Sequence, residues 1–341
     1  MNPLFLSIII PVEGRTKYLL EALNWLSKQT YSDFEVIISS SLPFSVPYSF
    51  VRVVMDKKLS GDVAAKRNKI LKFGKGEIFV FNDDDVFAPK NYLEKIIRKF
   101  KDKKILAACG PLLTPVNDSF WQKGSGAVWE SYLGSLGAGI YRSRKQPARI
   151  VYDYPAANLI VRREVFEAVG GFEKGLYPGE DTKLCLLIFN KYQKGVVYDP
   201  DLFVYHHRKP LFRPHLKQIG RYGHQRGWFS LSYPTTSFKI QYFLPSFLLL
   251  YLLGLFMVAL FGSWFLKLKL GWIIFLPLLF YGLLVVLEGA VITYRRGFPL
   301  SILAILGIVA THLYYGYQFA RSFIRKIIQK IGKALKNGEK L

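Results

Sequence analysis

From Ile240 to Leu266 the chain runs for 27 residues without a charged side chain. A helix needs about 20 apolar residues to cross the roughly 30 Å of bilayer hydrocarbon, so this segment predicts a transmembrane helix. Leu270 to Tyr294 is a second candidate, interrupted by Glu288, and Pro299 to Ala320 is a third that contains His312 and several tyrosines. The number of crossings stays at two or three. With three, the tail from Arg321 to Leu341, which carries seven Lys or Arg and one Glu, would lie opposite a cytoplasmic first domain, against the positive-inside tendency. With two, the third segment is re-entrant or interfacial. Ile324, Ile327, Ile328, Ile331 and Leu335 then give the tail an apolar stripe suited to an anionic membrane surface. The expected division is a first domain over 1–227, including a basic interfacial segment from about 208, a membrane domain over 228–320 and a basic amphipathic tail over 321–341.

The first part reads differently. Apolar, β-branched runs at 5–10, 34–39, 51–54 and 77–81 alternate with helical patterns around Leu19, Leu23 and Leu26 and over 64–73. Later strands are expected at 158–161 and 195–198, with helices at 163–169 and 180–192. This alternation predicts an α/β fold with a mostly parallel, Rossmann-like sheet, its ligands at the carboxyl ends of the strands. The Gly-, Ser- and aromatic-rich stretch from Asn117 to Tyr141 reads as a loop, either mobile over a site or plain surface.

Charge narrows the partners. Forty-seven Lys and Arg against 24 Asp and Glu leave +23, which favours anionic partners such as lipid head groups and nucleotide phosphates. Nucleic acid is not expected, because the cations are spread along the chain and no recognition motif is present. Cys109 and Cys185 fall in apolar segments and read as buried thiols, which argues against a thiolate metal site. The N-terminal segment lacks a basic n-region and its apolar run meets Pro11, so a signal peptide is not expected and the first domain is placed in the cytoplasm.

Three clusters carry chemistry. Asp83-Asp84-Asp85 follows a buried strand; adjacent carboxylates repel unless a cation neutralises them, and in an extended segment Asp83 and Asp85 would face one site. Such ligands suit Mg²⁺ or Mn²⁺, which also bind substrate phosphates; the alternative is a solvated acidic turn. Glu180 and Asp181 open a helix, where they serve either as dipole-compensating residues or, for one of them, as a general base. His206-His207 follows a strand and is either structural or a source of a metal ligand.

In this order the pieces resemble the family 2 glycosyltransferases, inverting enzymes of the GT-A fold. The resemblance runs from about Leu6 to Gly227 and rests on Ser7-Ile-Ile-Ile-Pro11, Leu26-Ser-Lys-Gln-Thr-Tyr31, Gly61-Asp-Val-Ala-Ala-Lys-Arg-Asn68, Gly76-Glu77 through Asp85, Asn158-Leu159 with Gly170-Gly-Phe172 and Gly179-Glu-Asp181, and Val204-Tyr-His206. The chain beyond Gly227 resembles the membrane tail of polysaccharide-assembly members. Gln218-Ile-Gly-Arg221-Tyr222 is similar to the Gln-x-x-Arg-Trp motif of processive synthases, with Tyr for Trp. Two departures stand out: Ser39-Ser-Ser41 occupies the place of an acidic nucleotide contact, and Pro11-Val-Glu-Gly-Arg15 lacks the usual Asn.

The resemblance implies a site. Asp83, Asp85 and His206 would hold Mg²⁺ or Mn²⁺ on the donor diphosphate, and Asp181 would deprotonate the acceptor hydroxyl. Pro11, Glu13, Arg67, Asp83, Asp84 and Arg221 would line the donor. Arg67 is otherwise a surface ion pair, and Arg221 otherwise faces lipid phosphates. Asn158, Glu180, Gln218 and Tyr222 would lie on the acceptor side. The expected partners are a nucleotide-sugar donor, a lipid-linked or glycan acceptor, membrane lipids and other glycan-assembly proteins, at the cytoplasmic face of the cell membrane. Transfer to a polyprenyl phosphate and a non-catalytic membrane scaffold are the alternatives. A phosphate acceptor is already ionised and needs no base, which favours a hydroxyl.

Overall fold

A computed structural model describes residues 4–137, 139–262 and 271–337 of the chain. The strands are β1 (Leu6–Val12), β2 (Phe34–Ser40), β3 (Val51–Met55), β4 (Ile78–Asn82), β5 (Val86–Phe87), β6 (Ala107–Cys109), β7 (Leu112–Leu113), β8 (Arg149–Val151), β9 (Asn158–Arg162), β10 (Val196–Tyr198) and β11 (Val204–His206). The helices are α1 (Lys17–Leu26), α2 (Val63–Asn68), α3 (Tyr92–Phe100), α4 (Phe120–Glu130), α5 (Tyr132–Ser135), α6 (Ile140–Ser143), α7 (Arg163–Ala168), α8 (Glu180–Tyr192), α9 (Arg213–Ser232), α10 (Pro234–Ser237), α11 (Ile240–Phe261), α12 (Leu276–Arg296) and α13 (Phe298–Asn337). They fall into two compact units: Met1–Pro115 with Tyr141–His207, and Val116–Ile140 with Arg208 onward.

The first unit is built on a sheet of order β3-β2-β1-β4-β9-β6-β10-β8. Strands β3, β2, β1 and β4 are parallel, β9 runs antiparallel between β4 and β6, and β8 closes the far edge antiparallel to β10. Both faces are covered, which is why β1 is apolar at every central position rather than at alternate ones. Ile8 and Ile10 pack on one face with Leu19, Leu23, Leu93 and Ile96. Ile9 packs on the other with Phe79, Phe81, Phe166 and Leu184. The chain leaves β1 for β2 on one side and reaches β4 on the other, so β1 and β4 flank a switch point whose carboxyl ends form a ligand crevice. A second sheet, β5-β11-β7, includes β5, which follows the acidic segment directly, and His206 of β11 is paired to Val86.

Residues 117–141, expected to be a loop, are largely helical. Ser119 and Gln122 form a reciprocal capping box at the start of α4, and Gly124 is buried where a Cβ would collide with Leu303. Glycine here supplies close packing, not flexibility. The boundary drawn at 227 also moves, because Arg208 to Gly227 groups with the C-terminal helices. Within this second unit α9 packs along α13, and Gly227 approaches Phe319 so closely that a Cβ would strike its carbonyl.

Among the described residues three helices, Ile240–Phe261, Gly271–Arg296 and Phe298–Lys333, are long and apolar enough to cross a membrane. They match the three expected segments, although 263–266 and Leu270 of those segments, and the tail beyond 337, lie outside the described residues. The third differs from the others: 44% of its most apolar window is buried against protein, compared with 11% and 6%.

Candidate active site

The acidic triplet does not form the shared site that strand alternation predicts. Strand β4 ends at Asn82, and residues 83–85 make a turn into β5, with Val86 N–H donating to the Asp83 carbonyl at 3.3 Å. The turn sends three carboxylates to three partners. Asp83 Oδ1 accepts from Arg67 Nη2 at 2.7 Å, Asp84 Oδ2 from the Thr16 hydroxyl at 3.0 Å, and Asp85 Oδ1 lies 3.2 Å from His206 Nε2. Distribution of this kind lowers the mutual repulsion that three adjacent carboxylates would otherwise carry.

The histidine pair divides as cleanly. His206 faces Asp85, whereas His207 Nε2 meets Glu21 Oε2 at 3.1 Å and its ring stacks on Tyr18 at 4.3 Å. Among the described residues no group of three His, Cys, Asp or Glu side chains surrounds a common point. A phosphate-bridging cation does not need one, since Mg²⁺ is usually held by one or two protein carboxylates plus substrate oxygens. The 3.2 Å between Asp85 and His206 is that of an ion pair, and carboxylate and imidazole are both groups that can hold such a cation. The donor set therefore suits Mn²⁺ or Mg²⁺ through Asp85 and His206, with Asp83 engaged by Arg67.

Arg67 is the centre of the arrangement. Its side chain is 4% exposed, and besides Asp83 it holds Glu180 Oε1 through Nη1 at 2.6 Å, while Nε has no partner. Burial opposes its charge, but Asp83, Glu180 and Asp181 outweigh it and raise its pKa. The expected surface ion pair is thus a buried bridge from the end of β4 to the start of α8. Burial, and then Asp181, push the Glu180 carboxyl up to about 7 against the pull of Arg67. Glu180 is consequently not an open acceptor contact.

Asp181, one residue on, is half-buried at the first turn of α8 and accepts from Ala156 N–H at 3.3 Å and Thr182 N–H at 2.7 Å. Gly179 precedes the helix with φ of 120°, a conformation that L side chains rarely adopt and that sets the angle at which α8 begins. Asn158, expected on the acceptor side, is fully buried. It accepts from the Tyr92 hydroxyl at 2.6 Å and donates to the carbonyls of Gly110 and Leu202 at 2.6 and 2.8 Å. Its amide ties β9 to neighbouring segments and is spent on structure.

At the carboxyl end of β1, Pro11 is buried within the strand, which continues to Val12. Glu13 reaches across to α2, accepting from Ser60 Oγ and Gly61 N–H, both at 3.1 Å, and pairing with the buried Lys66. Lys66 also donates to the Val12 carbonyl at 2.7 Å. Sequence reasoning missed it, although it stands beside Arg67 in a segment already singled out. Burial alone would raise the Glu13 pKa, but hydrogen bonds from Lys66 and Gly61 lower it to about 2. A depressed carboxylate contributes stability that is complete above its unfolded value and lost as pH falls through the folded one. Glu13→Gln should therefore flatten the part of the acid-stability profile between pH 4.5 and about 2, read as melting temperature against pH for variant and parent.

Gln218, Arg221 and Tyr222 lie on α9, in the second unit. Gln218 Nε2 donates to the Tyr222 hydroxyl at 3.2 Å, the Tyr222 ring stands 6.0 Å from Trp129, and Arg221 is exposed.

A sheet covered on both faces, its switch point closed by an acidic turn with a histidine from a side sheet against it, is the GT-A arrangement of nucleotide-sugar transferases. Within that class, residues 7–170 match Glycosyl transferase family 2. It is 27% identical over 192 residues to Glycosyltransferase AglE of Haloferax volcanii, covering 52% of this chain and 59% of that one. It is 23% identical over 220 residues to Pre-mycofactocin glycosyltransferase of Mycobacterium tuberculosis, covering 64% of this chain and 46% of that one. The chain thus spans about half the length of these curated relatives. In fold it is similar to a mannosyltransferase of Pyrobaculum calidifontis solved with GDP-Man and Mn²⁺, with a TM-score of 0.53 at 16% identity over 91% of this chain and 86% of that one.

Proposed function

We propose that the protein is an inverting, metal-dependent transferase that moves a sugar from a nucleotide-sugar donor to a hydroxyl of a lipid-linked or growing glycan at the cytoplasmic face of the cell membrane. The observation that carries this reading is the pairing of Asp85 with His206 at 3.2 Å beside the switch point. The similar mannosyltransferase, solved with GDP-Man and Mn²⁺, supports the same donor and metal classes. A divalent ion held by Asp85 and His206 would offset the charge of the leaving diphosphate.

The residues of the chain do the rest. Asp181 accepts the proton of the acceptor hydroxyl while that oxygen bonds to the anomeric carbon from the face opposite the diphosphate. The bond to the phosphate oxygen breaks, the nucleoside diphosphate leaves with the electron pair, and the configuration inverts. Asp181 is suited to this role because backbone N–H groups orient its carboxylate at the start of α8. Arg67 keeps α8 and the acidic turn in register through its two ion pairs.

Asp181→Asn keeps the shape and one of the two accepting oxygens but loses the base. It should bind donor as the parent does and lose transfer by about 100- to 10,000-fold, the usual contribution of general base catalysis. Single-turnover transfer and donor titration on the same preparation test this. Transfer at the parental rate would remove Asp181 from the base role.

A further inference from the structure

The second unit carries a cationic surface that includes Arg221, the residue expected from the sequence to line the donor. At 3.6 residues per turn, Arg213, Lys217, Arg221 and His224 fall within one sector of about 80° on α9, and all four are exposed. The opposite side of the helix, with His215, Ile219, Gly223 and Gly227, is buried against α13. The two helices run parallel: His215 meets Thr311 at 2.9 Å, a Cβ on Gly223 would touch the Tyr315 carbonyl, and Gly227 abuts Phe319. This register places Arg321 and Arg325 of α13 beyond the C-terminal end of the stripe, where they continue it toward the end of α9. Burial, then Arg325 and Arg321, lower the pKa of His224.

Neither α9 nor α13 contains an aspartate or glutamate. Three of their other cations are held within the protein: Arg226 by the Ser237 hydroxyl at 3.0 Å, Lys330 by the Leu231 carbonyl at 3.1 Å, and Lys326 over the Trp228 ring at 3.6 Å. The stripe with Arg321 and Arg325 thus gathers like charge on helices that carry no carboxylate of their own. On the same α13 the exposed Ile324, Ile328 and Leu335 offer apolar surface beside the cations. Phosphate above and hydrocarbon below is the combination found at the edge of a bilayer, and a soluble diphosphate would have no use for the isoleucines.

We propose that Arg213, Lys217 and Arg221 of α9, with Arg321 and Arg325 of α13, form a ledge that binds the phosphate groups of anionic membrane lipids. Exposed cations favour the head-group layer over hydrocarbon, so the C-terminal half of α13 lies on the same membrane face as α9. The ledge goes beyond the transfer reaction and does not depend on it.

The test uses the full chain in a neutral detergent, titrated with micelles doped either with phosphatidylglycerol or with phosphatidylcholine. Each cation near an anionic surface contributes roughly fivefold. The triple variant Arg213→Gln, Lys217→Gln, Arg221→Gln should bind the anionic micelles about a hundredfold more weakly. Arg321→Gln with Arg325→Gln, which leaves α9 untouched, should weaken binding about twentyfold, so the outcome stands even if the triple variant fails to fold. Lys103→Gln with Lys104→Gln on the first unit should leave binding unchanged. Equal binding of the two lipids, parental binding by both ledge variants, or an equal loss in the Lys103 and Lys104 control would overturn the proposal. Displacement of the lipid by inorganic phosphate, beyond what chloride of the same ionic strength achieves, would reassign the ledge to free phosphate and overturn it as well.

Discussion

Arg67→Met is expected to destabilise the first unit by about 3–5 kcal/mol, the range for removing one partner of a buried ion pair. The side chain is 4% exposed and serves two carboxylates at once, and Glu180, itself 4% exposed, has no solvent to replace the guanidinium. In a domain of this size the loss corresponds to a melting-temperature drop of roughly 10 °C. The deficit should shrink as pH falls, because a Glu180 carboxyl already pushed up to about 7 takes a proton more readily once Arg67 is gone. Arg67→Lys should recover only part of the stability, since one ammonium cannot present the planar fork that reaches both Asp83 and Glu180. Thermal melts of the three proteins between pH 5 and 8 check each part. A methionine variant as stable as the parent would mean that the bridge is not a structural tie.

Asp85→Ala has the largest expected effect on chemistry. The substitution removes the carboxylate that faces His206 and leaves Asp83 bound to Arg67 and Asp84 bound to Thr16. Groups that merely orient a metal ligand contribute about 10- to 100-fold to metal affinity, so loss of a ligand itself should exceed a hundredfold. Asp84→Ala is the matching control: it removes a hydrogen bond to the residue that caps α1 and should cost far less affinity. Titration of Mn²⁺ in the presence of a nucleoside diphosphate separates the two. Similar losses in both variants would mean that the acidic turn acts through its total charge and not through Asp85.

The fold was legible wherever burial on both faces produced an uninterrupted apolar strand. β1, β2 and β4 needed no tertiary information, and neither did α8, with its glycine start and acidic first turn. The differences share a cause. Strand alternation puts Asp83 and Asp85 on one face, and a turn after Asn82 separates them. Residues 117–141 look like a loop because glycine and serine break helices in isolation, yet Gly124 is required where α4 meets Leu303. Asn158 and Glu180 sit in motifs of the right composition, but only the packing shows that each polar group is already satisfied inside the protein. Arg67 shows the limit most clearly, because its partners lie 16 and 113 residues away in sequence.

A metal-dependent nucleotide-sugar site at the switch point is tested most directly by calorimetric titration of the solubilised chain with a panel of nucleoside diphosphates and nucleotide sugars, in Mn²⁺ or Mg²⁺ and again in chelator. One nucleotide should bind with metal, chelator should abolish the heat, and Asp85→Ala should abolish it too. Binding of the nucleotide that is indifferent to chelator, or no binding by folded protein across the whole panel, would contradict such a site.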